Sequence, residues 1–250
     1  MTKTILIDGD ILIYRAALKA ENVFTWDEDV WSVAANMTEA KGHFDCMVKE
    51  IEETLGVSDS TICVSCDGPT FRRQMLDTYK GNRKGRKPLV FRPLREWSKA
   101  ERGALSWPLL EADDVLGILA TNGEIADPVI VTIDKDLHSI PATHWNPDKP
   151  EKGLLTVTQE EADQFHLVQA IAGDPTDNYP GVPGLGMVRA RRLLEKDGWT
   201  WDTVVKAYES KKLSEDEALL NARMAKILTA AEWDSEKQLV QPWTPEEQTA

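Results

Sequence analysis

The residues best suited to chemistry are aspartates at the ends of predicted strands. Asp8, Asp67 and Asp134 each come directly after a short apolar run rich in β-branched residues. In an open α/β sheet, the carboxyl ends of parallel strands line the binding crevice. A single aspartate at such a place is usually a turn former or a helix N-cap. Three of them in equivalent positions favour convergence at one edge of a sheet.

More acids occur in tight groups elsewhere in the sequence. Glu111, Asp113 and Asp114 open a predicted helix, and Glu111 and Asp114 share one of its faces. Acids complement the helix dipole in a first turn, but three within four residues exceed that need. The other grouped acids are Asp136, which follows Asp134 closely, and Asp174 and Asp177, which precede a loop rich in glycine and proline.

Carboxylates grouped in this way select hard divalent cations, chiefly magnesium or manganese. The four histidines are scattered along the chain, and we interpret them as structural or surface residues. Without a cation such a group of acids would repel itself strongly. Two divalent ions about 4 Å apart can activate water and stabilise both oxygens of an in-line phosphoryl displacement. The acids therefore predict a metal-dependent phosphoryl-transfer site.

The basic residues are concentrated in one window of the sequence. Between Arg72 and Arg102 there are eleven basic and three acidic residues, although the 250-residue chain has a net charge of −13. The net charge alone argues against a nucleic-acid partner, because phosphate binding needs Lys and Arg. The window can be a solvated loop or a local electrostatic footprint for a polyanion.

The chemistry-bearing residues need a scaffold, which the hydrophobic pattern predicts to be α/β. Strands alternating with helices indicate a parallel sheet, and Thr158 with Glu161 forms a capping box that opens a helix. Beyond it only helices are predicted, so the architecture is expected to change near residue 165. The predicted strands cover residues 4–7, 61–66 and 128–133. The predicted helices cover residues 28–55, 111–120, 159–172, 187–196, 201–209 and 214–233.

Composition narrows the class of protein. The 42% hydrophobic content and nine tryptophans support a folded core and exclude a wholly disordered chain. No apolar run approaches the roughly 18 residues of a membrane span. Three cysteines provide no disulfide framework, which suits a reducing cytoplasm. Cys63 and Cys66 are interpreted as buried core residues rather than a zinc or redox pair.

Five short motifs follow one another along the chain: Ile-Asp-Gly-Asp at 7–10, Tyr-Lys-Gly-Asn-Arg-Lys at 79–84, Glu-Ala-Asp-Asp at 111–114, Ile-Asp-Lys-Asp-Leu at 133–137, and Gly-Asp-X-X-Asp-Asn-X-X-Gly-Val-Pro-Gly-Leu-Gly at 173–186. In this order they resemble the flap endonuclease/5′–3′ exonuclease family. The resemblance is closest to the exonucleases of short-tailed bacteriophages. It implies a PIN-like parallel-sheet nuclease core over residues 1–165, with a basic arch or clamp at about 72–105. A helix–three-turn–helix region for duplex DNA would cover 166–235, and a tail 236–250.

The resemblance also implies roles for individual residues. Lys80 and Arg83 would be the catalytic cations that contact the scissile phosphate, and Tyr79 would stack on a terminal base. The first, catalytic metal would be surrounded by Asp8, Asp67, Glu111, Asp113 and Asp114, and the second by Asp134, Asp136, Asp174 and Asp177. The other DNA contacts would be Lys84, Arg86, Lys87, Gly181, Val182, Gly184, Gly186, Arg189, Arg191 and Arg192. A potassium ion would sit at the glycine loop, where backbone N–H groups approach a phosphate.

The function implied is a 5′–3′ exonuclease with two Mg²⁺ ions, or Mn²⁺, acting on duplex DNA from 5′ ends or flaps. RNA–DNA hybrids are a further expected substrate, as in primer removal during phage DNA replication or recombination. We expect a monomer in the cytoplasm with no membrane contact. One alternative is a structure-specific flap endonuclease, and another is a non-catalytic DNA-binding relative. A PIN-type ribonuclease is weaker, because such domains lack the glycine loop. Asp10 lies just past the usual motif acid and is interpreted as a helix cap.

Overall fold

The computed structural model describes residues 4–245, which form one five-stranded sheet, three two-stranded sheets, nine α-helices and three short 3-10 helices. The strands are β1 (Ile5–Asp8), β2 (Glu21–Asp27), β3 (Val30–Ala35), β4 (Ser60–Cys63), β5 (Val129–Val131), β6 (Thr143–Trp145), β7 (Leu155–Thr156), β8 (Gly173–Asp174), β9 (Tyr179–Pro180), β10 (Trp233–Asp234) and β11 (Leu239–Val240). The helices are α1 (Gly9–Lys19), α2 (Met37–Leu55), α3 (Phe71–Met75), α4 (Phe91–Arg102), α5 (Ala112–Thr121), α6 (Gln159–Ala172), α7 (Met187–Asp197), α8 (Trp201–Glu209) and α9 (Glu215–Ala225). None of these described helices is long and apolar enough to cross a membrane.

The main sheet has the order β4-β1-β5-β6-β7, and only the edge strand β7 runs antiparallel to its neighbour. In the central strand, Leu6 lies opposite Thr61 on one side and Ile130 on the other. Because β1, β4 and β5 are parallel, their carboxyl ends meet at one edge of the sheet. The predicted α/β class with a parallel sheet is confirmed.

The sheet is covered on both faces, which explains why β1 is apolar at consecutive positions. Ile5 and Ile7 pack with α1, α2 and α4 in one buried cluster. Leu6 points the other way and packs with α5 in a second cluster, as the two-residue period of a strand requires. Helix α1 therefore covers one face of the sheet, and α5 covers the other.

A third buried cluster belongs to helices α6 to α9. Tyr208 is its largest fully buried side chain, and its hydroxyl donates to the carbonyl of Ala170 at 2.7 Å. The capping box predicted at Thr158 is present, because Thr158 accepts from the N–H of Glu161 and Glu161 accepts from the N–H of Thr158. The residue-165 boundary between the two regions remains a prediction, and that residue lies inside α6.

The helix predicted over 28–55 is wrong in its first part. Residues 21–35 form a hairpin of β2 and β3 with Val23 opposite Val33. The helix α2 begins only after Asn36, whose side chain accepts from the N–H groups of Thr38 and Glu39. The prediction failed because the apolar residues of the hairpin continue directly into the apolar stripe of α2. The Asn36 cap marks where the helix begins.

Several short strands were also missed. Strands β6 and β7 extend the main sheet, and two-residue pairs β8–β9 and β10–β11 occur after residue 165. Helix α9 ends at Ala225 instead of reaching 233. The predicted tail is partly anchored, since Trp243 packs edge-on against His166 and Trp201. Residues 246–250 of that tail lie outside the described residues.

Candidate active site

An open cleft of about 660 Å³ lies at the carboxyl-end edge of the sheet. Its walls come from the ends of β1 and β5, the first turn of α5, the irregular chain after α3 and the loop between β8 and β9. The cleft is strongly charged with both signs. Its acids are Asp8, Asp10, Glu111, Asp113, Asp134, Asp136, Asp174 and Asp177, and its cations are Arg72, Lys80, Arg83, Arg86, Lys87 and Lys135.

Asp8 and Asp113 are two acids of the cleft whose pKa values are strongly raised. Burial raises the pKa of Asp8 to about 7, helped by the charge of Asp10 and opposed by a 3.1 Å hydrogen bond from the Thr132 hydroxyl. Burial and the charge of Asp8 likewise raise the pKa of Asp113 well above its usual range. Carboxylates that repel each other are the oxygen donors that a hard divalent cation prefers, so these residues fit such an ion.

The carboxylates are spread around the cleft rather than drawn together. Among residues 4–245, no three Asp, Glu, His or Cys side chains are close enough to form a ready-made ion site. Asp134 accepts from the N–H of Asp136 at 2.9 Å, and Asp174 accepts from the N–H of Thr176 at 2.6 Å. Each of these two acids thus also shapes its own turn, as lone aspartates commonly do.

Glu111 and Asp177 hold the two cations of the Tyr-Lys-Gly-Asn-Arg motif. The Nζ of Lys80 lies 2.5 Å from Oε1 of Glu111 and 3.6 Å from Oδ2 of Asp177, and Arg83 pairs with Asp177. Burial alone would lower the pKa of Lys80, but the charges of Glu111 and Asp177 outweigh it and raise that pKa. In this structure the predicted phosphate-binding cations therefore form ion pairs with predicted metal-binding acids.

The motif's tyrosine is a buried residue. Tyr79 is only 3% exposed and packs with Tyr179 and Met224. Its hydroxyl donates to Oε2 of Glu111 at 2.8 Å. Although Tyr79 lines the cleft, its ring is covered in this structure and its hydroxyl positions Glu111, so stacking on a DNA base stays a prediction.

Asp114 is also turned away from the cleft. It is fully buried, and both of its oxygens accept from the Arg72 guanidinium at 2.8 Å. The N–H of Leu228 donates to Asp114 at 3.2 Å, while Arg72 also donates to the carbonyl of Met224. This buried pair ties α5 to the chain after α9. In this structure Arg72 holds both oxygens of Asp114, and its predicted place around the first metal stays a prediction.

Asp67 does not reach the cleft either. Its side chain is 50% exposed and pairs with Arg95 and Lys99 of α4. The strand β4 ends at Cys63, four residues earlier, so Asp67 does not stand at the strand end as Asp8 does. The convergence predicted from strand ends holds for Asp8 and Asp134 and fails for Asp67.

The basic window does not form a continuous helical arch. The chain between Met75 and Phe91 is irregular. Arg86 forms a bidentate pair with Glu21 at 2.8 Å, and Lys87 lies over the Phe91 ring at 4.4 Å. Lys84, Arg86 and Lys87 are all exposed. Their predicted contacts with DNA remain predictions.

The glycine loop has an internal and an external part. A Cβ on Gly181 would lie 2.2 Å from the carbonyl carbon of Ala172, and the Val182 N–H donates to Ile171 at 2.7 Å. Val182 itself is buried, and its carbonyl accepts from the N–H of Leu185 at 3.0 Å, so this residue belongs to the internal part of the loop. Gly184, with a φ of +83°, and Gly186 face open space. The exposed arginines of the next helix are Arg189, Arg191 and Arg192.

Arg72 and Asp10 line the cleft, although the sequence analysis predicts no place there for either. Arg72 was counted only within the basic window, and nothing in its spacing indicated the partner Asp114, 42 positions away. Asp10 was interpreted as a cap although it lines the cleft. Its separation from Asp8 by a single residue was the available signal.

The chain is similar to nucleases of known sequence and structure. Residues 3–164 match the family described as "5′-3′ exonuclease, N-terminal resolvase-like domain". The exodeoxyribonuclease of Enterobacteria phage T3 is 28% identical over 96% of this chain and 92% of its own, and the exonuclease of Escherichia phage T7 is 26% identical over 96% and 93%. A bacteriophage T5 flap endonuclease, solved as a pseudo-enzyme–product complex with DNA and metal ions, has a TM-score of 0.65 at 15% identity over 90% of this chain and 89% of its own. The family match extends over more than half of the sequence, and with it the chain belongs to the 5′–3′ exonuclease family and is a nuclease.

Proposed function

We propose that this 5′–3′ nuclease is a divalent-metal-dependent exonuclease that hydrolyses duplex DNA from 5′ ends. The observation that carries the proposal is the cleft in which Asp8, Asp113 and Asp134 face Lys80 and Arg83. Acids alone would repel a phosphodiester, and cations alone would bind it without activating water. A site with both can hold metal ions and the scissile phosphate together.

The metal ligands follow from the arrangement of the acids. Asp8, Glu111 and Asp113 would hold a first ion, and a second would lie among Asp134, Asp136, Asp174 and Asp177. An all-oxygen donor set favours Mg²⁺, with Mn²⁺ as a substitute. When bound, such ions supply an activated water and stabilise charge on the attacking and leaving oxygens. The T5 enzyme with which this chain shares its fold was solved with DNA and metal ions.

The protein's own side chains bind and orient the substrate. Lys80 and Arg83 donate to the non-bridging oxygens of the scissile phosphate, where negative charge develops during hydrolysis. Tyr79 and Arg72 both donate to Oε2 of Glu111. They therefore hold this carboxylate in position while Lys80 exchanges it for the phosphate.

The duplex would reach the cleft across two surfaces. The exposed backbone at Gly184 and Gly186, with a bound K⁺, and the arginines of α7 would contact the duplex backbone. The exposed residues Lys84, Arg86 and Lys87 would follow the strand being cut. RNA paired with DNA is a second substrate in this proposal, and the monomer is the active form.

The test is incubation with end-labelled nucleic acid. Blunt duplex, 5′-flap duplex and RNA–DNA hybrid are compared with Mg²⁺, with Mn²⁺ and with EDTA. We expect short 5′-phosphorylated products from the blunt duplex, only with a divalent ion. Preferential cutting at the flap junction would instead indicate the flap endonuclease, and DNA binding without cleavage would indicate the non-catalytic relative. Asp216→Asn, in the exposed first turn of α9, serves as the surface control.

A further inference from the structure

Asp10 is a cleft carboxylate that ends the Ile-Asp-Gly-Asp motif, but the family resemblance assigns it no role. It stands in the first turn of α1 and lines the same cleft as Asp8 and Asp113. Its Oδ2 accepts from the N–H of Ser65 at 3.3 Å. Its Oδ1 is buried, and among residues 4–245 it is the only buried carboxylate oxygen with no hydrogen-bond partner.

A capping role does not explain this placement. The N-cap of α1 is Asp8, and Asp10 occupies the second helical position. A buried acceptor without a donor is destabilising, and a second carboxylate beside Asp8 adds repulsion. The metal-free arrangement therefore carries a penalty that a nearby cation would remove.

Asp10 is also linked to the helix that carries Asp113. Its partner Ser65 accepts, through its hydroxyl, from the N–H of Ala112 at 3.0 Å. Ala112 is the first residue of α5, directly before Asp113. Ser65 thus connects Asp10 to the residue before Asp113. Asp8 lies two residues before Asp10 in the chain.

We propose that Asp10 is a further carboxylate of the divalent-cation site formed by Asp8 and Asp113, with Oδ1 facing the ion or a water bound to it. This inference rests on the proposed metal dependence and adds Asp10 to the metal-binding acids that the family resemblance implies. Asp10 would increase the negative charge around the ion and so its affinity. In the metal-free protein the same charge opposes folding.

The experiment measures metal binding without DNA or catalysis. Mn²⁺ is titrated into the wild type, Asp10→Asn and the surface control Asp216→Asn, and free Mn²⁺ is read from its electron paramagnetic resonance signal. Asn keeps the size and an acceptor for the Ser65 N–H but removes the charge. We expect Asp10→Asn to bind Mn²⁺ about 10- to 100-fold more weakly, and the control to match the wild type. In EDTA, the Tm of Asp10→Asn should equal or exceed that of the wild type.

The opposite results would overturn the inference. Unchanged Mn²⁺ affinity in Asp10→Asn would remove Asp10 from the ion site while leaving the proposed metal dependence intact. A lower Tm in EDTA, or failure to fold, would show that Asp10 is structural. Asp10→Ser, which retains a short acceptor, is measured in parallel and must show the same changes in Mn²⁺ affinity and in Tm as Asp10→Asn. If the wild type itself bound no Mn²⁺, the metal dependence would fail together with the role of Asp10.

Discussion

Lys80 donates to Glu111 across the cleft, with Nζ 2.5 Å from Oε1. The pair is mostly shielded from solvent, since the two side chains are 23% and 12% exposed. Arg83, three residues after Lys80, forms a similar pair with Asp177. In the free protein, the cations suited to the phosphate thus neutralise acids suited to the metal. Metal binding to the acids and phosphate binding to the cations should therefore favour each other, and this coupling is reciprocal.

Replacing Lys80 should affect the chemical step more than binding. We expect Lys80→Ala to slow single-turnover cleavage about 10²- to 10³-fold, the usual effect of removing one donor to a developing oxyanion. The affinity for DNA should change far less, because most phosphate contacts remain. Rapid-quench assays with enzyme in excess give the rate, and fluorescence anisotropy in Ca²⁺ gives the affinity.

Lys84→Ala is the matched control for this prediction. Lys84 lies in the same basic window and is exposed. Its loss should weaken DNA binding and reduce the slope of log affinity against log salt by about one. The saturated single-turnover rate should stay unchanged. An unchanged rate in Lys80→Ala would remove its proposed contact with the scissile phosphate.

Asp113→Asn should separate cleavage from DNA binding. Asp113 faces Asp8 in the cleft, and burial with that neighbour raises its pKa well above normal. We expect the neutral side chain to abolish cleavage while duplex affinity persists, since repulsion of the phosphate decreases. Gel-based cleavage and anisotropy binding assays provide the two readouts. Full activity in this variant would count heavily against the proposed metal ligands.

The features that the sequence predicted correctly are local ones. The strand β1 and its terminal Asp8 follow from an apolar run buried on both faces, and the cap at Thr158 follows from a four-residue pattern. The sequence did not predict the position of Asp67, because its partner Arg95 lies on α4, about 30 positions away. The end of the strand before it was also predicted too late.

Long-range partners set the remaining differences. Nothing near Asp114 in the sequence distinguishes it from Asp113, yet one is paired with buried Arg72 and the other faces the cleft. The family motif likewise names Tyr79 without showing that its ring is covered by Tyr179 and Met224. The sequence thus predicted which side chains have suitable chemistry. It did not predict the direction in which each side chain points, because that depends on packing against distant residues.

Removing Asp114 should destabilise the fold. Asp114→Ala would leave the buried Arg72 guanidinium without its bidentate partner, a change that typically costs about 3–5 kcal/mol. Asp67→Ala, which breaks a half-exposed pair, should cost about 1 kcal/mol or less. Urea unfolding in EDTA measures both. Near-wild-type stability in Asp114→Ala, with metal affinity lost, would restore Asp114 to the metal site.

The pKa of Asp8 makes stability depend on pH in the metal-free protein. Its folded-state pKa is about 7, above the ordinary value of 3.8. Between these values the folded state holds more protons than the unfolded state, so the free energy of unfolding falls as pH rises from about 4 to about 7. Each unit of difference corresponds to about 1.4 kcal/mol.

The variant Asp8→Asn should flatten this dependence. Asn cannot ionise, so the proton-linked loss of stability near neutral pH disappears, and the variant should be more stable than the wild type at pH 7.5 in EDTA. Urea unfolding at half-unit pH steps gives the slopes of both proteins, with Asp216→Asn as the control that keeps the wild-type slope. Saturating Mg²⁺ should remove much of the wild-type decline, because the ion binds the ionised carboxylate. Parallel slopes for wild type and Asp8→Asn would contradict the raised pKa, since the titrating group would then lie elsewhere.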